Sequence, residues 1–135
     1  MRTRTVLLFL GVLAACRKSP VEPAQCIQPP QVLDGTWKAT WQYASESGNE
    51  VLSLVQQCDS IAGTGTFRNP TNPGTGTMKV AGLYNPPNIA LALQYDYGAT
   101  SVFTGTVPDS AHISGTETIS FQGSSYSMAW TFTRQ

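Results

Sequence analysis

The chain has 135 residues with eight basic and eight acidic side chains, so its formal net charge is zero. A chain without excess positive charge lacks the electrostatic footprint of a nucleic-acid-binding protein, and we expect no nucleic-acid partner. Apart from a stretch near the N-terminus, the sequence contains no long apolar run that could cross a membrane as a helix.

The N-terminal segment has the three parts of a cleaved secretion signal. Arg2 and Arg4 are positively charged, and an apolar run from Val6 to Leu13 follows them. This run is too short to span a bilayer core of about 30 Å as a helix. We therefore predict a signal peptide over residues 1–15.

The end of that signal, Leu13-Ala14-Ala15-Cys16, resembles the lipobox of bacterial lipoproteins. In that family the peptide is cut before the cysteine, which is then acylated, with palmitate among the attached chains. The resemblance implies lipid attachment at Cys16 and a membrane partner through that anchor. Arg17 occupies the position where Asp signals inner-membrane retention, which favours the outer membrane, facing the periplasm. An ordinary signal peptide with a chance cysteine is the alternative.

Removal of residues 1–15 would take Arg2 and Arg4 away, leaving six basic and eight acidic residues and a net charge of about −2. With Cys16 acylated, Cys26 and Cys58 remain as an even pair in an oxidising compartment, where a disulfide is the default. Such a bridge would close a loop of about 30 residues, worth roughly 3–4 kcal/mol on the chain-entropy model. Two free thiols are the alternative.

Residues 16–33 are predicted to form a lipidated, proline-rich tether. Few of its residues are suited to a core, and its prolines favour extended backbone. These prolines are Pro20, Pro23, Pro29 and Pro30. From Cys16 to Cys26 the reach is roughly 30 Å at about 3.1 Å per residue, enough to hold a small domain clear of a bilayer.

From residue 34 onward the sequence is predicted to be all-β. In Asp34–Tyr43, apolar and polar residues alternate, so Trp37, Ala39, Trp41 and Tyr43 share one face. Similar strands are predicted, with intervening turns such as the one over residues 45–49, at 50–57, 61–68, 76–84, 89–96, 100–107, 112–121 and 126–134. Short strands at regular spacing indicate an antiparallel meander, and eight are enough to close an up-and-down barrel over residues 34–135.

A glycine-threonine pattern recurs in Ile61–Thr64, Phe103–Thr106 and Ile113–Thr116. No predicted helix follows these glycines, so we interpret them as barrel bends or close backbone contacts and not as phosphate-binding loops.

Gly35 and Trp37 at the start of the domain, together with Arg134 near its end, resemble the pattern of calycins, the group that includes lipocalins, fatty-acid-binding proteins and avidins. In that family an arginine or lysine of the last strand lies over the tryptophan and closes one barrel end. The resemblance therefore implies a Trp37–Arg134 contact. Avidins use several tryptophans around biotin and this domain has three, so we do not expect biotin binding.

The sequence gives little support for an enzyme. His112 lies near Asp109 and Ser110, but these residues follow one another around a turn and do not place a base between a nucleophile and an orienting acid. We expect no catalytic residues, no metal site and no cofactor.

The inward aromatic residues Trp41, Tyr95 and Trp130 are candidates for lining a ligand cavity. Strict alternation also sends Glu117 inward, and we expect it near a barrel end. There the carboxylate would meet a polar partner or a ligand, or would reach water, unless a bulge at Gly115 exposes it on the outer face. The function we favour is a cell-envelope lipoprotein that binds a small apolar or amphipathic molecule. A packed barrel serving as a structural or protein-interaction module is the alternative, and the oligomeric state is not indicated.

If the lipobox interpretation is right, Cys16→Ser should leave an uncleaved precursor without lipid. The precursor would be visible as a higher band on a gel, and metabolic labelling with a fatty-acid analogue would be lost. Labelling of the substituted protein at the wild-type level would contradict the assignment.

Overall fold

The computed structural model describes residues 26, 27, 29, 32–43, 46–70 and 74–135, with the side chains of Gln42 and Tyr43 outside the description. Cys16, the predicted signal peptide and most of the predicted tether lie outside the described residues. Within the described part the protein is all-β and no helix is present. It follows that this part contains no helix capable of spanning a membrane.

Eight strands form a closed antiparallel barrel in which each strand pairs with its sequence neighbours and β8 returns to β1. They are β1 (Gly35–Tyr43), β2 (Glu46–Gln57), β3 (Ser60–Arg68), β4 (Thr75–Asn85), β5 (Asn88–Tyr95), β6 (Thr100–Thr106), β7 (His112–Phe121) and β8 (Ser124–Arg134). The predicted fold class, an eight-stranded up-and-down barrel, is confirmed.

Two predicted turns are wrong in extent. β2 begins at Glu46, because Glu46 pairs with Tyr43 and Gly48 pairs with Trp41, so the turn predicted over 45–49 is mostly strand. The last turn, predicted between the strands at 112–121 and 126–134, is shorter than expected, because β8 already begins at Ser124, which pairs with Phe121. Polar residues and glycine are typical of turns, but pairing with a neighbouring strand outweighs this local preference.

The inward positions of the eight strands build one continuous core. Trp37 and Ala39 are buried while Lys38 and Thr40 are exposed, as the alternation predicts, and the same alternation runs through β5. The largest fully buried hydrophobic side chains are Leu33, Trp37, Leu52, Tyr84, Leu91, Phe103, Ile113 and Phe132.

Leu33, which the tether prediction placed outside the barrel, belongs to this core. Its amide donates to Gln56 Oε1 at 2.8 Å, and its carbonyl accepts from the Trp37 indole at 2.9 Å. The backbone just before β1 therefore folds over the barrel end, because its apolar side chain and its polar groups all find partners there.

Arg134 closes this end of the barrel, which we call the closed end. Its guanidinium lies over Trp37, with Cζ 4.4 Å from the ring centroid. The same group donates to three backbone carbonyls, those of Ser110 at 2.8 Å, Asp34 at 2.6 Å and Val32 at 2.7 Å. One planar cation thus joins the segments before β1 and before β7 to the last strand. The Trp37–Arg134 contact expected from the calycin resemblance is present.

A disulfide between Cys26 and Cys58 lies at the same end, with Cα atoms 5.5 Å apart. This distance is within the usual 4.4–6.8 Å range, and the predicted bridge is confirmed. It attaches the chain ahead of Leu33 to the turn between β2 and β3.

The seam between β1 and β8 is paired only near the closed end. The described backbone pairs across it are Trp37 with Arg134 and Lys38 with Thr133, beside a bond from the Gln135 amide to the Thr36 carbonyl at 2.9 Å. Toward the opposite end, which we call the open end, no further backbone pair joins β1 and β8 among the described residues.

The recurrent glycines support the interpretation as close backbone contacts. Gly105 pairs with Gly115, and a Cβ added at Gly115 would lie 2.6 Å from the Gly105 Cα and 2.8 Å from the Phe103 ring. A side chain at either position would push β6 and β7 apart.

Arg134→Ala should destabilise the barrel by about 2 kcal/mol, because the stacking on Trp37 and three charge-assisted hydrogen bonds are lost. For a domain of this size we expect the melting temperature to fall by about 10 °C, followed by near-ultraviolet circular dichroism. Arg134→Lys keeps the charge but not the planar group, so its melting temperature should lie between those of the wild type and Arg134→Ala. An alanine variant that melts with the wild type would show that closure does not depend on this residue.

Candidate functional site

A cavity of about 230 Å³ occupies the barrel interior at the open end, and we call it the open-end cavity. Its lining comes from six of the eight strands and from the turns after β3 and β5. The residues are Trp41, Glu46, Asn49, Glu50, Phe67, Arg68, Asn69, Tyr95, Tyr97, Ile119, Tyr126, Met128 and Trp130. Trp41, Tyr95 and Trp130, which the sequence nominated as ligand-lining, all lie on this wall.

Trp41 reaches its place on the wall because a glycine lies opposite. It pairs with Gly48 on β2, and a Cβ added at Gly48 would lie 2.4 Å from the Trp41 indole. No other residue type leaves space for the indole to lie against the β2 backbone. The half-buried Trp41 ring therefore forms one side of the cavity.

Aromatic rings surround Tyr97 at the mouth of the cavity. Its ring centroid lies 5.4 Å from that of Phe67, 5.4 Å from that of Tyr95 and 5.3 Å from that of Phe121. Phe67 also meets Tyr95 edge-on at 5.4 Å. These separations are typical of favourable aromatic pairs, so the mouth is an ordered aromatic surface.

Two carboxyl groups lie inside the barrel below this mouth. Glu50 of β2 is 4% exposed and Glu117 of β7 is 1% exposed. The hydroxyl of Tyr95 joins them, lying 2.5 Å from Glu50 Oε1 and 2.8 Å from Glu117 Oε1. Ser101 also donates its hydroxyl to Glu117 Oε1.

The hydrogen bonds around Tyr95 require a protonated carboxyl. A phenol has one proton, so Tyr95 can donate to only one of its two carboxyl neighbours, and the other contact needs a carboxylic acid as donor. Glu117 Oε1 already accepts from Ser101 and is best placed to be the ionised acceptor. The consistent arrangement is Glu50 protonated and donating to Tyr95, with Tyr95 donating to Glu117.

The electrostatics of the pair agree with this assignment. Burial, and then the nearby Glu117 charge, raises the pKa of Glu50 to about 8, while the hydrogen bond from Tyr95 opposes the shift. Burial also raises the pKa of Glu117, but the bonds from Ser101 and Tyr95 stabilise its charged form. At neutral pH the pair therefore holds one negative charge and one acidic proton.

Three buried polar atoms at this site have no hydrogen-bond partner among the described residues. They are Oε2 of Glu50, Oε2 of Glu117 and the indole Nε1 of Trp130. Glu50 and Trp130 both line the cavity. A buried polar atom without a partner costs roughly 1–3 kcal/mol, so groups of this kind indicate a place where another molecule completes the bonding.

Glu117 points inward, as strict alternation predicts, and it meets polar groups there. It lies behind Tyr95 and is not part of the cavity wall. Glu50 was missed as a site residue, although it continues the inward alternation of Leu52 and Leu54. The alternation with Leu52 and Leu54 was the signal in the sequence that could have identified Glu50. It was not recognised because Glu50 was predicted to be the first residue of the strand.

The His112–Asp109 pair lies elsewhere, at the closed end. Nδ1 of the exposed His112 is 2.9 Å from Asp109 Oδ2. The hydrogen bond from His112, and then that from the Ala111 amide, lowers the pKa of Asp109. The pair forms the polar turn expected from the sequence. In the part of the chain that the structure describes, no group of three His, Cys, Asp or Glu residues is arranged to hold a metal ion.

No protein-family model matches the chain, and no curated protein matches it in sequence. The function is therefore inferred from the geometry of the site.

The raised pKa of Glu50 predicts that stability falls with pH. Between its ordinary pKa of 4.5 in the unfolded chain and about 8 in the barrel, the folded state binds more protons than the unfolded state. The free energy of unfolding should therefore decrease across this window, by up to about 1.4 kcal/mol per pH unit for each proton.

Glu50→Gln should remove most of this slope and should melt at a higher temperature than the wild type at pH 8. Thermal unfolding at several pH values from 5 to 8 measures both. Parallel profiles for the two proteins would mean that Glu50 does not retain its proton in the barrel.

Proposed function

We propose that this protein is a lipid-anchored component of the bacterial cell envelope whose barrel binds one small amphipathic molecule at its open end. The observation that supports binding most directly is the open-end cavity, whose largely aromatic wall includes Glu50 and Trp130, each with a buried polar atom that has no partner among the described residues. Ligand sites commonly combine apolar walls with a few polar groups in this way.

The alternative, a packed barrel acting only as a structural or interaction module, predicts an interior filled by its own side chains. The closed end fits that description, because Trp37, Leu52, Ile113 and Phe132 are fully buried there or next to it. The open end does not, since a cavity of about 230 Å³ remains between β1, β2, β3, β5, β7 and β8. This difference between the two ends favours ligand binding over simple packing.

The envelope location is supported by the lipobox-like Leu13–Cys16 and by the disulfide. The Cys26–Cys58 bridge is the kind of bond that persists in oxidising compartments outside the cytoplasm. In this proposal Cys16 carries the acyl chains, the proline-rich segment holds the barrel away from the outer membrane, and the barrel faces the periplasm. The calycin-like Trp37–Arg134 closure suits a binding barrel that is shut at one end.

Native mass spectrometry of protein purified from its own envelope tests the binding function. We expect part of the protein to carry a small additional mass that is released on unfolding. Met128→Trp, which places an indole in the cavity, should abolish the retained mass and the binding of small aromatic compounds.

Ala129→Trp is the matched control, because Ala129 is the next residue of β8 and faces outward. It should retain the additional mass as the wild type does. Retention by both variants would place the ligand outside the cavity. Absence of any retained or added ligand in the wild type would support the structural alternative.

A further inference from the structure

The chemistry of the open-end cavity specifies its ligand more closely, and this inference rests on the proposed binding function. Glu50 is 4% exposed, lines the cavity and has one oxygen, Oε2, without a partner among the described residues. Trp130, also 4% exposed, lines the same cavity, and its buried donor Nε1 has no partner among the described residues. The first group needs a hydrogen-bond donor and the second needs an acceptor.

We propose that the cavity binds a small aromatic amine as a cation, with its ammonium group on Glu50 and a hydroxyl or carbonyl oxygen on Trp130 Nε1. The ring of the ligand lies against Trp41 and Tyr97. Tyr95 and Glu117 are positioning residues, since they hold the Glu50 carboxyl from behind.

Aromatic faces favour a cation over a neutral or anionic ligand. An ammonium group within about 6 Å of an indole or phenol ring is attracted by the ring quadrupole, most strongly where water is excluded. Here Trp41, Tyr97 and Trp130 supply such faces around a buried carboxyl. An anionic group placed beside Glu50 and Glu117 would instead meet like charge and would be repelled.

Other ionisable groups around the pair do not change sign in the relevant pH range. Burial raises the pKa of Tyr97 to about 12, and it also raises the pKa of Tyr95 and Tyr126, so the three phenols stay neutral. Glu46 and Arg68 also line the cavity. His112 is at the closed end. Glu50 and Glu117 are therefore the groups whose protonation the ligand can alter.

Binding of a cation should release the proton of Glu50. The ammonium replaces that proton as the neutralising partner, and the proton passes to solvent while the ligand keeps its own protons. Glu50 then no longer donates to Tyr95, whose single proton remains hydrogen-bonded to Glu117. Affinity should consequently increase with pH, by up to tenfold per pH unit, as pH rises from about 6 to about 8.

Isothermal titration calorimetry with three matched probes tests the inference. They are tyramine as the cation, 4-(2-hydroxyethyl)phenol as its neutral counterpart and 4-hydroxyphenylacetate as the anion. We expect tyramine to bind at least tenfold more tightly than the neutral compound at pH 7.5, and the anion to bind most weakly. Titration of tyramine in two buffers of different ionisation enthalpy should show release of up to one proton per molecule bound.

Glu50→Gln should weaken tyramine binding at least tenfold and weaken binding of the neutral compound less, so that the preference for tyramine is lost. Asp59→Asn, which removes an exposed carboxylate at the closed end, should leave both affinities unchanged. If Glu50→Gln fails to fold, proton release by the wild type decides the question without a variant.

The outcomes separate this inference from the proposed function. Equal affinity for tyramine and the neutral compound, or tyramine binding without proton release, would overturn the cation assignment while leaving the binding function intact. The same holds if no probe binds but a retained native ligand is found. Failure of all probes together with no retained mass would overturn both.

Discussion

A single cation, Arg134, holds together the end of the barrel on which the rest of the structure depends. Its guanidinium covers the Trp37 ring. The same group donates hydrogen bonds to the backbone carbonyls of Val32, Asp34 and Ser110, which joins β8 to those segments. Backbone pairing between β1 and β8 is confined to this end of the described seam. The barrel is therefore closed where its packing is dense, and the cavity lies at the opposite end. An eight-stranded barrel has an interior with room for little more than its own side chains or one small ligand.

The two ends divide the energetic tasks of the domain. At the closed end the disulfide, the Leu33 bonds and the Arg134 contacts all stabilise the fold. At the open end Glu50 and Glu117 oppose it, because two carboxyls are kept from water with an unpartnered oxygen each. Such arrangements are typical of functional sites, where local instability is tolerated because the rest of the fold compensates for it. In this small domain the contacts at the closed end offset the free-energy cost of burying the two carboxyls.

Period-two alternation was enough to predict the strand number, the barrel, the inward face of β1 and the inward direction of Glu117. It did not reveal Glu50, because the Ser47-Gly48-Asn49 stretch has the composition of a turn and hid the first part of β2. Only the pairing of Gly48 with Trp41 shows why a glycine stands there. The meeting of Glu50 with Glu117 through Tyr95 joins three strands that are distant in sequence, and register across the barrel decides it. A local pattern carries no information about such register, since it depends on the lengths of all the strands and turns between them.

The fold by itself gives little reason for a buried pair of carboxyls. Replacing a buried ionisable cluster with apolar residues of similar volume is often neutral or stabilising, so stability alone is a weak reason to keep two carboxyls in an interior. A role in fixing strand register is also a weak explanation, because β2, β5 and β7 each have full ladders of backbone pairs with their neighbours. Moreover, a purely structural network would be expected to satisfy its own atoms, whereas Glu50 Oε2, Glu117 Oε2 and Trp130 Nε1 lack partners among the described residues, and Glu50 and Trp130 line the cavity. Within Glu50, one oxygen contacts Tyr95 and the other is left without a partner. This asymmetry is what a binding site requires, since the bonds behind hold the carboxyl in place and the free oxygen is left for the ligand.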